Sequence, residues 1–425
     1  MPLTTTIETA TWGNGPRIPS LTVRPVERER HATVADRWGL SFLQLPEWAD
    51  VKAGWEHESL GWFDADGALV GVALVLYRRV PRVRRSLAYL PEGPALPWHE
   101  VAHAPRVWLD PMVAHLRSRG AFAVRIGPQV PLREWSAATA KRGLADPAVT
   151  RLGDLPPDRT HAVGTRLCAA LSGAGWEPLG LGDGFTAGQP RFVVRVGLDD
   201  VDDDAADHTA DAATEDADGG EQGGGPAGGD AGGGDPRPPR LWQGLNQEWR
   251  RNVTRAERSG VVVRLGDETD LPAFHALYRE TAERDGFTPR PAEYFTGMWR
   301  ALNARRPRLR LYLAELAGEP LAAATVIRVG GHVWYGYGAS TSRRRDVRAS
   351  NALQWRALLD AQAAGAAVYD LRGVGATLDP EAPLGGLLRF KLGTGGTVRE
   401  SCGEWELTLS RTWAAAFHAY LKVRS

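Results

Sequence analysis

Apolar positions along the chain follow two rhythms, a period of two and a period near three and a half. From residue 31 to residue 198 the two alternate. Residues 68–77 (ALVGVALVLY) form an apolar run behind the turn Asp64-Ala65-Asp66-Gly67. They read as the second strand of a hairpin whose first strand is residues 59–63. Residues 86–89 and 122–126 are further strand candidates, while residues 107–119 and 164–174 carry helical spacing. The same mixture returns in the second half. Residues 241–259 (LWQGLNQEWRRNVTRAERS) predict one basic helix stopped by Gly260, and residues 261–265 a strand. Helices over 270–285 and 291–302 follow, then strands over 309–316, 320–329 and 332–339. A helix over 351–364 starts behind Ser350 as N-cap, and residues 368–371 close the pattern as a strand.

Between the halves the rhythm vanishes. Residues 199–239 are rich in Asp, Ala and Gly with a Pro-Arg-Pro-Pro end, and such a segment buries too little apolar area to offset its chain entropy. The expected organisation is a flexible lead (1–28), a first domain (29–198), a disordered acidic linker (199–239) and a second domain (240–425). Each half has hairpin strands, a crossover helix and another strand, so the fold class is α/β (α+β) in two duplicated domains.

Charge changes this picture in one respect. The chain has 51 basic and 51 acidic residues, but thirteen of the acids lie between Asp199 and Asp235, where there is no Lys or Arg. The remainder is therefore basic, which suits phosphate-bearing partners such as tRNA and nucleotide or lipid diphosphates; an evenly spread arginine-rich surface gives the same count. Only Lys52, Lys141, Lys391 and Lys422 are lysines. Where arginine is used so freely, a retained lysine hints at a need for a compact ammonium. Arg251, Arg255 and Arg258 share a helix face with Arg250 beside them, a candidate contact for tRNA or a membrane surface, or simply a solvated face. Cys168 and Cys402 match no metal spacing and are expected as reduced thiols. No run approaches the roughly 18–20 apolar residues of a membrane span. The first residues lack a basic start and apolar stretch, so a cytoplasmic protein is expected.

Neither G-x-S-x-G, H-E-x-x-H, a Walker loop nor G-x-G-x-x-G occurs, and Gly393-Thr394-Gly395-Gly396 reads as a turn rather than a phosphate cradle. Several longer strings carry more when taken in order. They are SFLQLPEW (41–48) with Lys52 and Trp55; SLAYLPEGP (86–94); Arg250-Arg251-Asn252 with Arg255-Ala256-Glu257; TAERDGFTPRPAEYF (281–295); YGAS (337–340); SNALQW (350–355); and YDLRGVGATLDPEAPLGGLLRFK (369–391). In these strings, from about residue 30 to the end except the acidic insert, the sequence resembles the Fem family of aminoacyl-tRNA-dependent peptidoglycan transferases. The resemblance implies two acetyltransferase-type (GNAT) domains side by side, with a cleft between them for a muramyl-pentapeptide precursor. No sixty-residue heptad segment is present, so the chain resembles the family's shorter members.

What the resemblance implies for residues follows the chemistry. A stem-peptide amine attacks the ester joining an amino acid to tRNA, and the developing oxyanion needs a positive group or hydrogen-bond donors. Lys391 matches the family lysine near the reacting groups. Lys52 and Arg290 match the basic pair that holds the precursor's diphosphate, with Trp48 and Trp55 as candidate walls. Tyr294, Tyr337 (Tyr335 as runner-up on one strand face) and Tyr89 match substrate-lining tyrosines. Some members place an aspartate past the Gly93-Pro94 turn, whereas this chain reads Ala95-Leu96-Pro97-Trp98-His99-Glu100. His99 or Glu100 is a substitute base, and proton loss to water or the ribose is an equal alternative.

The expected partners are an aminoacyl-tRNA donor, of glycine or another small residue, and lipid II or its nucleotide-linked precursor as acceptor. Contact with the inner-membrane surface is a further possibility. No metal or organic cofactor is called for. One competing reading is a coenzyme A-dependent acetyltransferase of the same fold. That needs a Q/R-x-x-G-x-G/A pyrophosphate loop, and the nearest string, Arg345 to Ser350, has no glycine. The other is a non-catalytic RNA- or envelope-binding protein.

Overall fold

The structure is a computed structural model that describes residues 20–180, 188–199, 238–379 and 385–424. Most of the acidic insert and residues 1–19 of the expected lead lie outside the described residues.

Two sheets organise the chain. The first joins β1 (Thr22–Pro25), β2 (Glu56–Phe63), β3 (Leu69–Arg79), β4 (Ser86–Leu90) and β5 (Ala121–Ile126) in that order, then continues through β16 (Trp405–Thr408) to β8 (Glu177–Pro178). The second runs β10 (Val261–Gly266), β11 (Leu309–Leu316), β12 (Glu319–Val329), β13 (His332–Ser340), β14 (Val368–Val374), β9 (Phe192–Gly197), β15 (Thr397–Ser401), β6 (Pro131–Trp135) and β7 (Arg159–Thr160). Most neighbours are antiparallel, but β4–β5 and β13–β14 are parallel pairs. Each parallel pair is bridged by a helix, Pro105–Ser118 in the first sheet and Ala349–Ala363 in the second, as parallel neighbours require.

The apolar run expected as a strand is β3, and its burial explains why the run is unbroken. Val72, Leu74 and Leu76 face one core, while Ala73, Val75 and Tyr77 face another. A strand covered on both faces has no polar side to show. β11 repeats the device: Leu311 and Leu313 join the core that β3 enters, while Tyr312 and Ala314 join a third. The core shared by β3 and β11 also contains Phe42, Leu43, Leu45, Trp48 and the apolar faces of helices Leu271–Asp285 and Ala292–Asn303. It fuses the two halves into one packed body.

The structure departs from the sequence reading at four places. The sheets do not divide the chain at residues 199–239: β6, β7 and β9 precede the insert yet lie in the second sheet, and β16 returns to the first. Exchanging strands pairs backbone groups that would otherwise be left at open edges inside the molecule. Residues 22–25 of the expected lead are β1, paired with β2. The basic helix is two helices, Pro239–Gly244 and Gln247–Arg258, because Asn246 caps the second by accepting the Trp249 N–H at 2.8 Å. Ser350 lies inside helix Ala349–Ala363, whose N-cap is Arg348 in the left-handed region, φ 59°.

Gly393–Gly396 is a turn, as expected. The Thr394 and Gly395 backbone N–H groups donate back to the carbonyls of Lys391 and Leu392. Glycine is required at 393, where a Cβ would lie 2.0 Å from the Trp249 ring.

Candidate functional site

Two groups of polar side chains flank the shared core, and they differ in how their charges are met. The first contains Lys52 and Arg290, 238 positions apart by number and brought together by the packing of helix Pro46–Val51 against Ala292–Asn303. The Lys52 ammonium lies 5.4 Å from the Trp48 ring and 5.5 Å from the Tyr294 ring, and the Arg290 guanidinium lies 5.2 Å from that same Tyr294 ring. Tyr294 accepts a hydrogen bond from the Tyr337 hydroxyl at 3.1 Å. Among the described residues, no carboxylate pairs with either cation within 4 Å. Burial, with the Arg290 charge adding to it, brings the Lys52 ammonium down to about 8. Burial and the neighbouring Tyr337 push the Tyr294 hydroxyl well up, so it stays a hydrogen-bond donor. Two neighbouring cations over aromatic faces, without an acid, make a site ready for a dianion.

Tyr335 does not share this site. A bulge between Thr325 and Val326 breaks the alternation of β13, so Tyr337 pairs with Thr325 while Tyr335 pairs with Val326. Tyr337 packs on the shared core and Tyr335 on the opposite one. The reading that put both tyrosines on one strand face is therefore corrected.

The second group is a hydrogen-bonded chain around Lys391. Lys391 is in the last turn of helix Gly385–Leu392 and is 3% exposed. Its ammonium donates to the Gly373 carbonyl at 2.7 Å and the Arg372 carbonyl at 3.3 Å. The Arg372 side chain donates to Glu92 Oε1 at 2.7 Å and to Gln189 Oε1 at 3.0 Å. The Gln189 amide donates to the Tyr89 hydroxyl at 3.3 Å, and that hydroxyl donates to Glu404 Oε1 at 2.6 Å. Ser41 donates to Glu92 at 2.5 Å. Trp55 stands 6.5 Å from the Tyr89 ring. One continuous network thus joins Tyr89 on β4 to Lys391 near the far end of the chain.

Backbone geometry holds this network in place. Arg372 and Glu92 have φ of 62° and 51°, a region that costs a residue with a Cβ about 1–2 kcal/mol. Asp370 accepts the Arg372 backbone N–H at 2.6 Å and is itself held by the Arg195 side chain at 3.0 Å. Burial alone would raise the Asp370 carboxyl, but His332 and Arg195 hold it well below the usual range. Burial brings the Lys391 ammonium down to about 7, Asp370 opposing and Arg372 assisting the fall. Burial raises Glu404, with Tyr89 and Arg125 opposing. Lys391 is thus poised between its two protonation states near neutrality, and Glu404 is a buried carboxyl with access to a neighbouring hydroxyl.

The two groups meet through aromatic rings. The Arg372 guanidinium lies 5.6 Å from the Phe42 ring, and Phe42 packs edge-on against Trp48 at 5.2 Å. Seven expected site residues therefore fall in two adjoining clusters: Lys52, Arg290, Tyr294 and Tyr337 in one, Trp55, Tyr89 and Lys391 in the other. His99 and Glu100 lie on the short helix Trp98–Val101, 3.8 Å apart and each more than a third exposed.

The sequence reading missed Glu92, Gln189, Arg372 and Glu404. Arg372 and Asp370 had a signal: both charges interrupt the apolar strand pattern VYDLRGV, and a buried charge needs a partner. Cys168 and Cys402 are free thiols, and the buried Cys402 thiol donates to the Gly164 carbonyl at 3.5 Å. Among the described residues no cluster could hold a metal ion, and no helix is long and apolar enough to cross a membrane.

With this geometry in view, similarity to known proteins can be placed on it. The FemAB family model matches residues 27–213, and an acetyltransferase (GNAT) domain model matches residues 244–391. A lipid II:glycine glycyltransferase of Staphylococcus aureus (strain MRSA252) is 21% identical over 453 residues, covering 90% of this chain and 92% of that protein. The same-named protein of the bovine strain RF122 / ET3-1 is 22% identical over 456 residues. The crystal structure of FemX superposes with a TM-score of 0.69 at 20% identity, covering 93% of this chain and 99% of that one. The paired acetyltransferase-type architecture is therefore as the resemblance implied.

Proposed function

Because this chain is a member of the FemAB family, we propose that it transfers an aminoacyl group, glycyl foremost, from aminoacyl-tRNA to the stem peptide of a peptidoglycan precursor. The observation that carries the proposal is the division of cations: an unmatched pair suited to a diphosphate beside a buried lysine suited to a reacting centre. In this reading Lys52 and Arg290 hold the diphosphate of lipid II or its nucleotide-linked precursor. Tyr294 and Tyr337 line the path, while Trp55 and Tyr89 border the acceptor near the second cluster.

The reaction is aminolysis of an ester. The neutral stem amine attacks the ester carbon, a C–N bond forms, and the C–O bond to the ribose breaks. The amine loses one proton and the ribose oxygen gains one. Lys391, as ammonium, stabilises the negative charge that develops on the carbonyl oxygen. Its lowered pKa suits this role, because a group near 7 moves readily between states as charge appears beside it. Glu404, linked to Tyr89, is the carboxylate best placed to accept the amine proton, in place of His99 or Glu100. The transfer occurs at the inner face of the membrane, in the cytoplasm, where the donor is made.

The test is a transfer assay. Purified protein is incubated with labelled amino acids on total tRNA and, separately, with labelled acetyl-CoA, each with lipid II or the nucleotide-linked pentapeptide. Glycine label in the stem peptide, dependent on tRNA, supports the proposal. Acetyl label without tRNA-dependent transfer overturns it.

A further inference from the structure

Outside the two clusters, helix Gln247–Arg258 carries four arginines along one side. Its outer face lines a groove of about 570 Å³ formed by Gln247, Arg250, Arg251, Thr254, Arg255 and Arg258. These positions recur at intervals of three and four, so they form one stripe. None of the four arginines pairs with a described carboxylate within 4 Å. The helix's own acids, Glu248 and Glu257, are not among the residues of the groove. Arg250 is oriented by the carbonyls of Trp242 and Gln243, at 3.5 and 3.3 Å. Arg251, Arg255 and Arg258 are exposed, and at about 1.5 Å of rise per residue they extend along roughly 10 Å of helix.

The inner face of this helix is fixed to the segment that carries Lys391. Trp249, Val253 and Ala256 are buried. The Trp249 indole donates to the Phe390 carbonyl at 2.9 Å, one residue before Lys391, and the Asn246 backbone N–H donates to the Gly393 carbonyl at 2.9 Å, two residues after it. An arginine groove and the buried lysine therefore share one rigid support.

We propose that this groove is the docking surface for the phosphate backbone of the RNA donor, with the arginines holding the stem while its aminoacylated end reaches Lys391. The inference rests on the reading that the donor is aminoacyl-tRNA. Charge, concavity and attachment to the Lys391 segment favour RNA over a lipid surface. A helix that lies in a membrane buries its apolar face in lipid, and here that face is in the protein core. The exposed apolar residues nearest in sequence, Val262 and Leu265 on β10, are outside the groove.

The experiment measures binding of uncharged total tRNA against salt, for the wild type and for Arg251→Gln/Arg255→Gln/Arg258→Gln. Each lost phosphate contact should lower the slope of log affinity against log salt by about 0.7–0.9, so the triple variant should lose about 2–3 units of slope. The matching Arg→Lys variant should keep the slope, since charge rather than shape is read. Transfer from an aminoacylated dinucleotide, too short to reach the groove, should be unchanged in the triple variant. An unchanged tRNA slope in the triple variant overturns the proposal, even if transfer proceeds. So does loss of binding to anionic phosphatidylglycerol vesicles with tRNA binding intact, which would make the face a lipid contact. If the wild type transfers nothing from either donor but shows the slope difference, the docking surface stands and the proposed reaction falls.

Discussion

Two pairs of cations in the molecule, half-buried Lys52 with exposed Arg290 and buried Lys391 with half-buried Arg372, differ in how their charges are met. Lys52 and Arg290 face aromatic rings with no acid within ion-pair distance among the described residues. Lys391 and Arg372 have partners inside the protein: one donates to two carbonyls, the other to Glu92 and Gln189. The first pair repel one another and await a negative partner from outside. The second pair are held by hydrogen bonds before any substrate arrives. A satisfied buried charge fixes geometry, while an unsatisfied pair near the surface supplies affinity. The two pairs should therefore respond differently to substitution.

The largest effect is expected on stability. Glu92→Ala leaves the Arg372 guanidinium without its carboxylate, and breaking a buried pair costs about 3–5 kcal/mol. Lys52→Ala removes one of two like charges and should leave stability unchanged or slightly raised. Denaturant titration of both variants compares the pairs directly. Equal losses would erase the distinction.

Next in size is the effect on turnover. Lys391→Met should lower kcat by about two to three orders of magnitude, as loss of one oxyanion donor does, with precursor affinity within about tenfold. Stability serves as the control, and its sign can be worked out. Lys391 titrates near 7 in the folded protein against 10.5 for an ordinary lysine. Between these values the unfolded chain holds a proton the folded one lacks, so this residue makes stability rise with pH across that window. Below it the buried ammonium destabilises in full. Lys391→Met should flatten the rise and be no less stable than wild type at pH 6–7. A variant that is inactive because it unfolds would fail this check.

A moderate effect is expected on binding. Lys52→Ala and Arg290→Ala should raise KM for acceptors with a diphosphate and leave kcat near wild type. The Lys52 ammonium, near 8 in the free protein, is charged below that value. Acceptor affinity should therefore be level up to pH 8 and fall above it, by at most about tenfold per unit. Isothermal titration at pH 7 and pH 9 checks this, and Lys52→Ala should remove the difference. The smallest effect belongs to Tyr337→Phe, which deletes the hydroxyl bonded to Tyr294 at 3.1 Å. It should cost about 0.5–1.5 kcal/mol of acceptor binding with no change in kcat.

What the sequence revealed and what it hid follow from the range of the interactions involved. Helices Leu271–Asp285 and Ala292–Asn303 and strands β2 to β5 and β10 to β14 left a local period, so they could be read. The exchange of β6, β7, β9 and β16 between sheets is a matter of pairing across hundreds of residues and leaves no local trace. A bulge beside Val326 reversed the face of Tyr335, which a strict period of two cannot foresee. The resemblance supplied Lys52, Arg290 and Lys391. It did not supply Glu92, Gln189 or Glu404, whose roles depend on partners far along the chain: Arg372, and Tyr89 for Glu404. Apolar patterning records burial, but it does not record which charge meets which.

The central claim is that one cation pair binds and the other acts on the reaction. The most direct test is steady-state transfer by Lys52→Ala and Lys391→Met on two acceptors, the full diphosphate precursor and the bare stem peptide. The account predicts that the Lys52→Ala defect appears on the precursor and disappears on the bare peptide, while the Lys391→Met defect is equally large on both. Equal losses by both variants on the bare peptide would contradict it.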